Sequence, residues 1–597
     1  MSLRNLSTFC FWQALLYCAT AVGFFIINGF FTDFVGLVFT FFFIVGHACF
    51  FAGLFGIIAG LTGLIGPRTQ TVVCWVGSCL ISFFLAADWV VWAQYRFHIG
   101  LSLLQMFFGS AGREIFVFST SMWLLVITVA VLIMALQAGI LQLAKKFPIS
   151  KKILFAAATT ALVCFVCYNA MYAWGKFKLV PSIVAQPKVL PFAYPLSANR
   201  RLEKWGFVPN QTPYNLPRKG NLHYPLTPLL CSAEKPSRNI LFLVVDSWRA
   251  DMLNQEVMPL LSKWIKAPGM QVFTNHLSGG NSTAGGIFSL FYGLPHSYWD
   301  DFTAEHLPPL IISRALTLGY ESGIFASSKL TSPTFHRNIF ATIQNLRIGS
   351  EGDSSWQRDT DAVNDFEHFL DTRNINHPFF GFLFLDAPHG YSYPPQDKKF
   401  TPAKELNYLL LTNSTDPTPY LNEYKNAVYF TDRLLNRILE GLKQRGLLKN
   451  TVVIITADHG QELNDSHHNF WGHNGNFTDY QTQVPLIIYD PSRQKANQFT
   501  HRTTHYDIAP TILQEIYDCT NAPADYSLGK NLFDPTPRPF IVFAGHAEKA
   551  IRIGDSITIL NEFGGINQYD SHLQPLATPP NPDIVKEGLK AFSRFYK

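Results

Sequence analysis

Two apolar runs in the 597-residue chain end in an acid: Asn239-Ile-Leu-Phe-Leu-Val-Val-Asp246 and Thr451-Val-Val-Ile-Ile-Thr-Ala-Asp458-His459-Gly460. Together these ends offer hard oxygen and borderline nitrogen donors, a mixture suited to Zn²⁺ or Mn²⁺ more than to Ca²⁺. Between them, Gly279-Gly-Asn-Ser-Thr283-Ala-Gly-Gly-Ile-Phe-Ser289-Leu-Phe-Tyr-Gly293 reads as a small-residue turn entering a helix. A hydroxyl at a helix start is placed to be a nucleophile, because the dipole and free N–H groups stabilise the anionic oxygens of a phosphoester. A lone Thr there usually serves only as an N-cap, so Thr283 takes its meaning from Asp246, Asp458 and His459. His389 in Leu385-Asp386-Ala-Pro-His389-Gly390 and His473 in Trp471-Gly-His473-Asn-Gly add imidazoles. One sits at a strand end and the other in a glycine-bounded loop, where they read as second-metal ligands or contacts to phosphate oxygens.

The elements that must position these residues are apolar runs separated by helical stretches: Asn239 to Asp246, Tyr320 to Ala326, Phe379 to Asp386, Thr451 to Asp458 and Val484 to Tyr489. Near-continuous apolar strands of this kind predict an α/β domain over 238–597, with a mostly parallel sheet covered on both faces. Ligands in such sheets bind beyond the carboxyl ends of the strands.

Residues 1–175 differ in kind. Apolar stretches near 12–31, 35–65, 71–92, 115–143 and 153–174 are each long enough to cross a bilayer, which predicts a five-helix transmembrane domain. Arg4, Arg68, Lys145, Lys146, Lys151 and Lys152 fall on one side and Arg96 and Arg113 on the other. The positive-inside rule puts the N-terminus in the cytoplasm and the C-terminal domain in the periplasm of a Gram-negative cell inner membrane. Within the spans, His47 reads as an interhelical polar contact and Asp88 as a group wetted at the outer interface. The spacing Gly53, Gly56, Gly60, Gly63 suits close helix packing.

The junction, 176–237, is a basic, proline-rich periplasmic linker; from Lys176 to Arg238 there are ten Pro and ten Lys/Arg against two Glu. Pro195 to Gly206 reads as a short helix, with Ser197 or Asn199 as its cap. Arg200, Arg201 and Lys204 would meet lipid phosphates while Leu202, Trp205 and Phe207 enter the interface; a solvated charge cluster is the alternative. No nucleic-acid motif accompanies the net charge of +5. Cys231 and Cys519 are the two cysteines outside the apolar half, so one disulfide is open to an oxidising compartment.

The order strand-Asp246, turn-Thr283, His389, Ala457-Asp458-His459-Gly460, His473 and His505-Tyr-Asp-Ile-Ala-Pro-Thr resembles the sulfatase-like branch of the alkaline phosphatase superfamily. Thr283 lacks the Cys/Ser-x-Pro-x-Arg setting of sulfatases proper and is similar to the nucleophile of lipoteichoic acid synthase and the phosphoethanolamine transferases. That resemblance implies a divalent metal, Zn, Mn or Mg, held by Asp246, Thr283, Asp458 and His459, with His389 and His473 nearby. It also implies a phosphatase or phosphotransferase with a threonine nucleophile. Over the full length, the linker, Asn281 to Gly293 and Tyr526-Ser-Leu-Gly-Lys-Asn-Leu-Phe-Asp534 resemble the YejM (PbgA) family of inner-membrane proteins. That resemblance implies a part in lipopolysaccharide and outer-membrane lipid homeostasis, membrane phospholipid or lipid A as partner at the linker, and a LapB-like inner-membrane adaptor. It also carries the alternative of a non-catalytic lipid A sensing regulator. Some family members have an eroded metal motif; this chain keeps Ala457-Asp458-His459-Gly460.

Overall fold

The computed structural model describes residues 1–30, 33–95, 98–100, 104, 107, 119–178, 180–184, 186–207, 222–232, 238–408, 410–545, 548–561, 566–578 and 580–596. The chain divides into two units: Met1–Leu104, Val117–Pro213 and Asn561–Ile566 in one, Gln105–Phe116, Tyr214–Leu560 and Asn567–Lys597 in the other.

In the first unit, five helices among the described residues are long and apolar enough to span a membrane: α1 (Leu3–Asn28), α2 (Phe34–Thr62), α3 (Pro67–Tyr95), α4 (Thr120–Lys146) and α5 (Lys151–Lys178). A helix satisfies its own backbone, which is the requirement in hydrocarbon. Polar caps mark the starts: Ser2 accepts from the Asn5 N–H, Asp33 from Gly36 and Ser119 from Met122. Large apolar side chains such as Phe41, Ile57, Leu132 and Phe155 face outward, as a lipid-facing surface demands. α1 begins nine residues before the expected span, because a polar first turn around Arg4 extends the helix beyond its apolar stretch. The expected start of the fourth span at 115, like Arg96 and Arg113, lies outside the described residues. Of the four spaced glycines only some pack closely: a Cβ on Gly56 would meet Cys10 Sγ at 2.6 Å, whereas Gly53 has open space.

Two expectations in the membrane half need correcting. Asp88 is not wetted; it is fully buried and accepts from the His98 ring and the Ile99 N–H. His47 meets the Pro191 carbonyl at 3.0 Å, a partner in the segment after α5 rather than on another spanning helix. The short basic helix is present as α6 (Asn199–Lys204), followed by Gly206 at φ +86°, a conformation glycine adopts without cost. Leu202 is buried, while Trp205 and Phe207 are exposed.

The second unit is built on a seven-stranded sheet: β1 (Asn239–Val245), β2 (Met270–Phe273), β3 (Glu321–Ala326), β4 (Phe379–Leu385), β5 (Thr451–Ala457), β6 (Leu486–Tyr489) and β7 (Asn497–Phe499), in the order β7-β2-β6-β5-β1-β4-β3. The contiguous run β5-β1-β4-β3 is parallel throughout. β6 runs antiparallel to both its neighbours, so it is the exception within a mostly parallel sheet. Alternate residues of β1 face opposite ways, and both sets are buried. Ile240, Phe242 and Val244 pack with α7 (Thr283–Tyr292), while Leu241, Leu243 and Val245 pack with α8 (Ser355–Thr372) and α9 (Thr418–Gln444). Helices on both faces explain why these strands carry almost no polar residues. Cys231 and Cys519 form a disulfide, S–S 2.01 Å, tying the start of this unit to a segment 288 residues later.

Candidate active site

The sheet register sets three acids side by side. Val245 of β1 lies opposite both Leu385 of β4 and Ala457 of β5, so the next residues, Asp246, Asp386 and Asp458, leave three adjacent strands at one level. Neighbouring strands are about 4.8 Å apart, and all three carboxyls are buried. Burial, and for Asp246 also the charge of Asp458, pushes Asp246 and Asp458 up to about 7. Burial likewise raises Asp386, but His389, Arg358 and Ser355 outweigh it and hold that carboxyl below its usual range.

Thr283 opens α7 on the neighbouring side. The cap is Ser282, whose hydroxyl accepts the Gly285 N–H at 3.2 Å, and this frees Thr283 from the structural task a single Thr usually performs. Thr283 Oγ1 lies 3.3 Å from His459 Nε2 and 3.5 Å from Asp246 Oδ2. The helix reaches this position because residue 286 is glycine: a Cβ there would sit 2.0 Å from the Asp458 carbonyl oxygen.

The donor set suits a cation. Asp458 Oδ1 accepts the N–H groups of Ser247 (3.0 Å) and His459 (2.7 Å), while Oδ2 is buried without a hydrogen-bond partner. His459 Nδ1 donates to the Gly460 carbonyl at 2.8 Å, which leaves the Nε2 lone pair facing Asp458 Oδ2 at 3.3 Å and Asp246 Oδ1 at 3.6 Å. Burial lowers the His459 imidazole, which keeps Nε2 a lone pair. Ligand atoms of Asp246, Asp458 and His459 all lie within 4.8 Å of one another. A buried, unpartnered carboxylate oxygen is costly unless something fills the gap, and a divalent cation fits it. The Gly460 carbonyl behind His459 is the kind of outer partner that orients a metal-bound imidazole.

A second group adjoins the first, with Asp246, Asp386 and His389 also within 4.8 Å. His389 Nδ1 lies 3.3 Å from Asp386 Oδ1. Asp386 Oδ2 accepts from Ser328 (3.1 Å), Ser355 (2.9 Å) and Arg358 (3.3 Å). Burial alone would lower the His389 imidazole, but Asp246, Asp386 and Asp458 outweigh it and push it to about 10. The His473 ring is 4.3 Å from that of His459 and 5.3 Å from that of His389, centre to centre. Gln461 gives its NH₂ to the Tyr391 hydroxyl (2.7 Å), and its Oε1 takes the His473 Nδ1–H (3.1 Å), leaving Nε2 as a lone pair. Burial and two neighbouring histidines push His473 well down, so it is neutral. Tyr391 holds φ +48°, a strained value for a non-glycine residue, two positions after His389.

The structure thus brings together Asp246, Thr283, His389, Asp458, His459 and His473. Arg201 and Lys204 are exposed on α6 in the other unit, and the Arg200 side chain lies outside the described residues. Sequence reasoning missed Asp386 as a site residue and Gln461 as the group that orients His473. Asp386 carried the same signal as Asp246 and Asp458, an acid ending an apolar run, whereas Gln461 carried none.

Comparison with known proteins agrees with this architecture. The Sulfatase family model matches residues 238–516, and a domain of unknown function (DUF3413) matches residues 3–231. The inner membrane protein YejM of Salmonella typhimurium is 26% identical over 441 residues, 72% of this chain and 69% of that protein. Phosphoethanolamine transferase EptA of Escherichia coli is 22% identical over 315 residues, 49% of this chain and 53% of its own length. The solved lipooligosaccharide phosphoethanolamine transferase A from Neisseria meningitidis shares the fold, with a TM-score of 0.55 at 16% identity, covering 89% of this chain and 99% of that one.

Proposed function

We propose that this chain, a YejM-like membrane protein of the sulfatase superfamily, is a phosphoester hydrolase or transferase that acts on a phosphate-bearing membrane lipid through Thr283. The observation that carries the reading is the Thr283 hydroxyl at the first turn of α7, 3.3 Å from a neutral His459 Nε2 and beside the unpartnered Asp458 oxygen. Asp246, Asp458, His459 and Thr283 would hold a divalent cation, Zn, Mn or Mg. A cation bound there would screen phosphoryl charge and ease ionisation of the Thr283 hydroxyl.

Thr283 Oγ1, its proton released to water as the hydroxyl ionises, attacks phosphorus. A new Oγ1–P bond forms as the bond from phosphorus to the leaving alcohol breaks. His389, protonated and held by Asp386, gives the departing oxygen its proton. Water or a second lipid then displaces Thr283 and restores the hydroxyl. Neutral His473 offers a lone pair that positions the incoming nucleophile. Thr283→Ala and Asp458→Asn should each abolish hydrolysis of an aryl phosphate by the full-length protein; unchanged turnover in Thr283→Ala would refute the assignment.

The exposed cluster on and after α6 favours a second role. Arg201, Lys204, Trp205 and Phe207 are all solvent-facing, a basic and aromatic mixture suited to a lipid headgroup. In this reading Arg200, Arg201 and Lys204 bind phospholipid or lipid A at the periplasmic face of the inner membrane. The helix bundle then reports occupancy to a LapB-like adaptor, which places the protein in lipopolysaccharide and outer-membrane lipid homeostasis. If Arg200→Ala/Arg201→Ala leaves lipid balance intact while Thr283→Ala disturbs it, the sensing role fails.

A further inference from the structure

The cavity of about 550 Å³ lined by Tyr506, Arg538 and Lys590 has both of those cations already paired, with Asp507 and Glu587. A less ordinary arrangement lies just after α3. A neutral imidazole has one N–H and one lone pair, so a ring that meets an ionised carboxylate at one nitrogen and a carbonyl oxygen at the other carries both protons. His98 is such a ring: Nδ1 is 2.7 Å from Asp88 Oδ2 and Nε2 is 2.9 Å from the Lys188 carbonyl oxygen. Asp88 is fully buried, and its other oxygen accepts the Ile99 N–H at 2.6 Å. The His98 ring lies flat on Trp92, with centres 4.6 Å apart and planes 10° apart, the face-on position that favours a cation.

Lys188 belongs to the segment that follows α5, and polar side chains of the bundle hold that segment at several points. Gln186 accepts from the Thr40 hydroxyl (2.8 Å) and donates to the Gly36 carbonyl (3.0 Å); His47 donates to the Pro191 carbonyl; Asn169 accepts the Leu196 N–H (2.8 Å). Residues 186–196 therefore form a strap fastened to α2, α5 and the loop after α3, and α6 follows directly. Among these fasteners only His98 depends on an added proton.

We infer that His98 is a pH-sensitive latch, which fastens the strap to the helix bundle while protonated and lets it go on deprotonation. Among the described residues, Asp88 of α3 and His47 of α2 are the titratable groups set against it, and Lys188 of the strap meets it through its backbone carbonyl; Phe24 of α1 and Trp92 form its apolar walls. On deprotonation the remaining N–H stays with the Asp88 carboxylate, which turns a lone pair toward the Lys188 carbonyl. The fastening is thus present in acid and lost as pH rises. The latch rests on the His98 geometry alone. Its consequence, altered freedom of the lipid-facing α6, rests on the second role proposed above.

Histidine-labelled full-length protein in nanodiscs should show by ¹⁵N NMR one imidazole protonated at both nitrogens in acid, absent from His98→Gln, that loses one of those protons as pH is raised. Amide exchange of residues 186–193, corrected for intrinsic rates, should be about tenfold or more faster in His98→Gln and Asp88→Asn below that titration. The wild type should converge on the variants above it. A His98 that stays neutral throughout, a strap whose exchange is the same in wild type and both variants, or a wild type that never converges would each overturn the latch. The spectrum of the wild type decides the protonation state even where a variant fails to fold. Vesicle binding by α6 is a separate readout, so loss of the lipid reading and loss of the latch are distinguishable.

Discussion

Gly286→Ala perturbs the placement of the nucleophile without touching any group that does chemistry. The added Cβ would lie 2.0 Å from the Asp458 carbonyl oxygen, 2.5 Å from its carbonyl carbon and 2.9 Å from its Cα, all backbone atoms that cannot rotate away. An ordinary carbon to oxygen contact needs about 3.3 Å, so the first turn of α7 must retreat from the end of β5 by about 1 Å. Overpacking of this kind costs about 1–3 kcal/mol of stability. A displacement of about 1 Å between nucleophile and donors costs on the order of 100-fold in rate. The assay is turnover of an aryl phosphate by full-length protein, alongside thermal unfolding to confirm that the variant is folded. Gly285→Ala is the control, since its Cβ would come no closer than 3.1 Å to any neighbour, and it should keep most of the activity. A folded Gly286→Ala protein with wild-type turnover would show that the close approach of α7 to Asp458 does not set the position of Thr283.

Other outcomes follow from the same geometry. Because Asp246 and Asp458 keep their protons up to about 7, cation affinity should rise as pH climbs toward about 7 and then level off, with proton release visible by calorimetry in buffers of different ionisation enthalpy; a flat profile would contradict the assigned donors. In a chelator the sign reverses for stability. These carboxyls stay protonated in the folded state where the unfolded chain has already ionised, so the soluble unit should lose stability between about pH 4 and pH 7, and Asp458→Asn should flatten that loss. Replacing Cys231 and Cys519 by Ala should cost about 2–5 kcal/mol in denaturant unfolding, with no change in m-value if the unfolded state is equally expanded. Arg200→Ala/Arg201→Ala/Lys204→Ala should weaken binding to anionic vesicles and flatten its salt dependence, while aryl phosphate turnover stays the same.

Much of the site was legible because the pattern of an apolar strand ending in an acid is local. Asp246 and Asp458 could be read directly, and the helix after Thr283 followed from its glycines and apolar run. What makes them a site is register, and register is not local: nothing near Asp386 says that Leu385 will lie opposite Val245. The antiparallel direction of β6 is hidden for the same reason, since a short buried strand looks alike in either direction. The sequence offered Thr283 itself as the cap, but the helix starts one residue earlier than that reading implies, and Ser282 takes the Gly285 N–H. In the membrane half, hydropathy located the spans but ranked Asp88 by depth alone. Its partner His98 lies ten residues on, and a carboxylate so matched is buried rather than wetted.

The central claim is that Thr283 becomes covalently bonded to phosphorus. Full-length protein incubated with an aryl phosphate, quenched in acid and mapped by peptide mass spectrometry should carry a phosphoryl adduct on the segment Asn281 to Gly293, at Thr283 and absent from Thr283→Ala. Turnover by wild-type protein with no adduct on that segment, together with undiminished turnover by Thr283→Ala, would contradict the account.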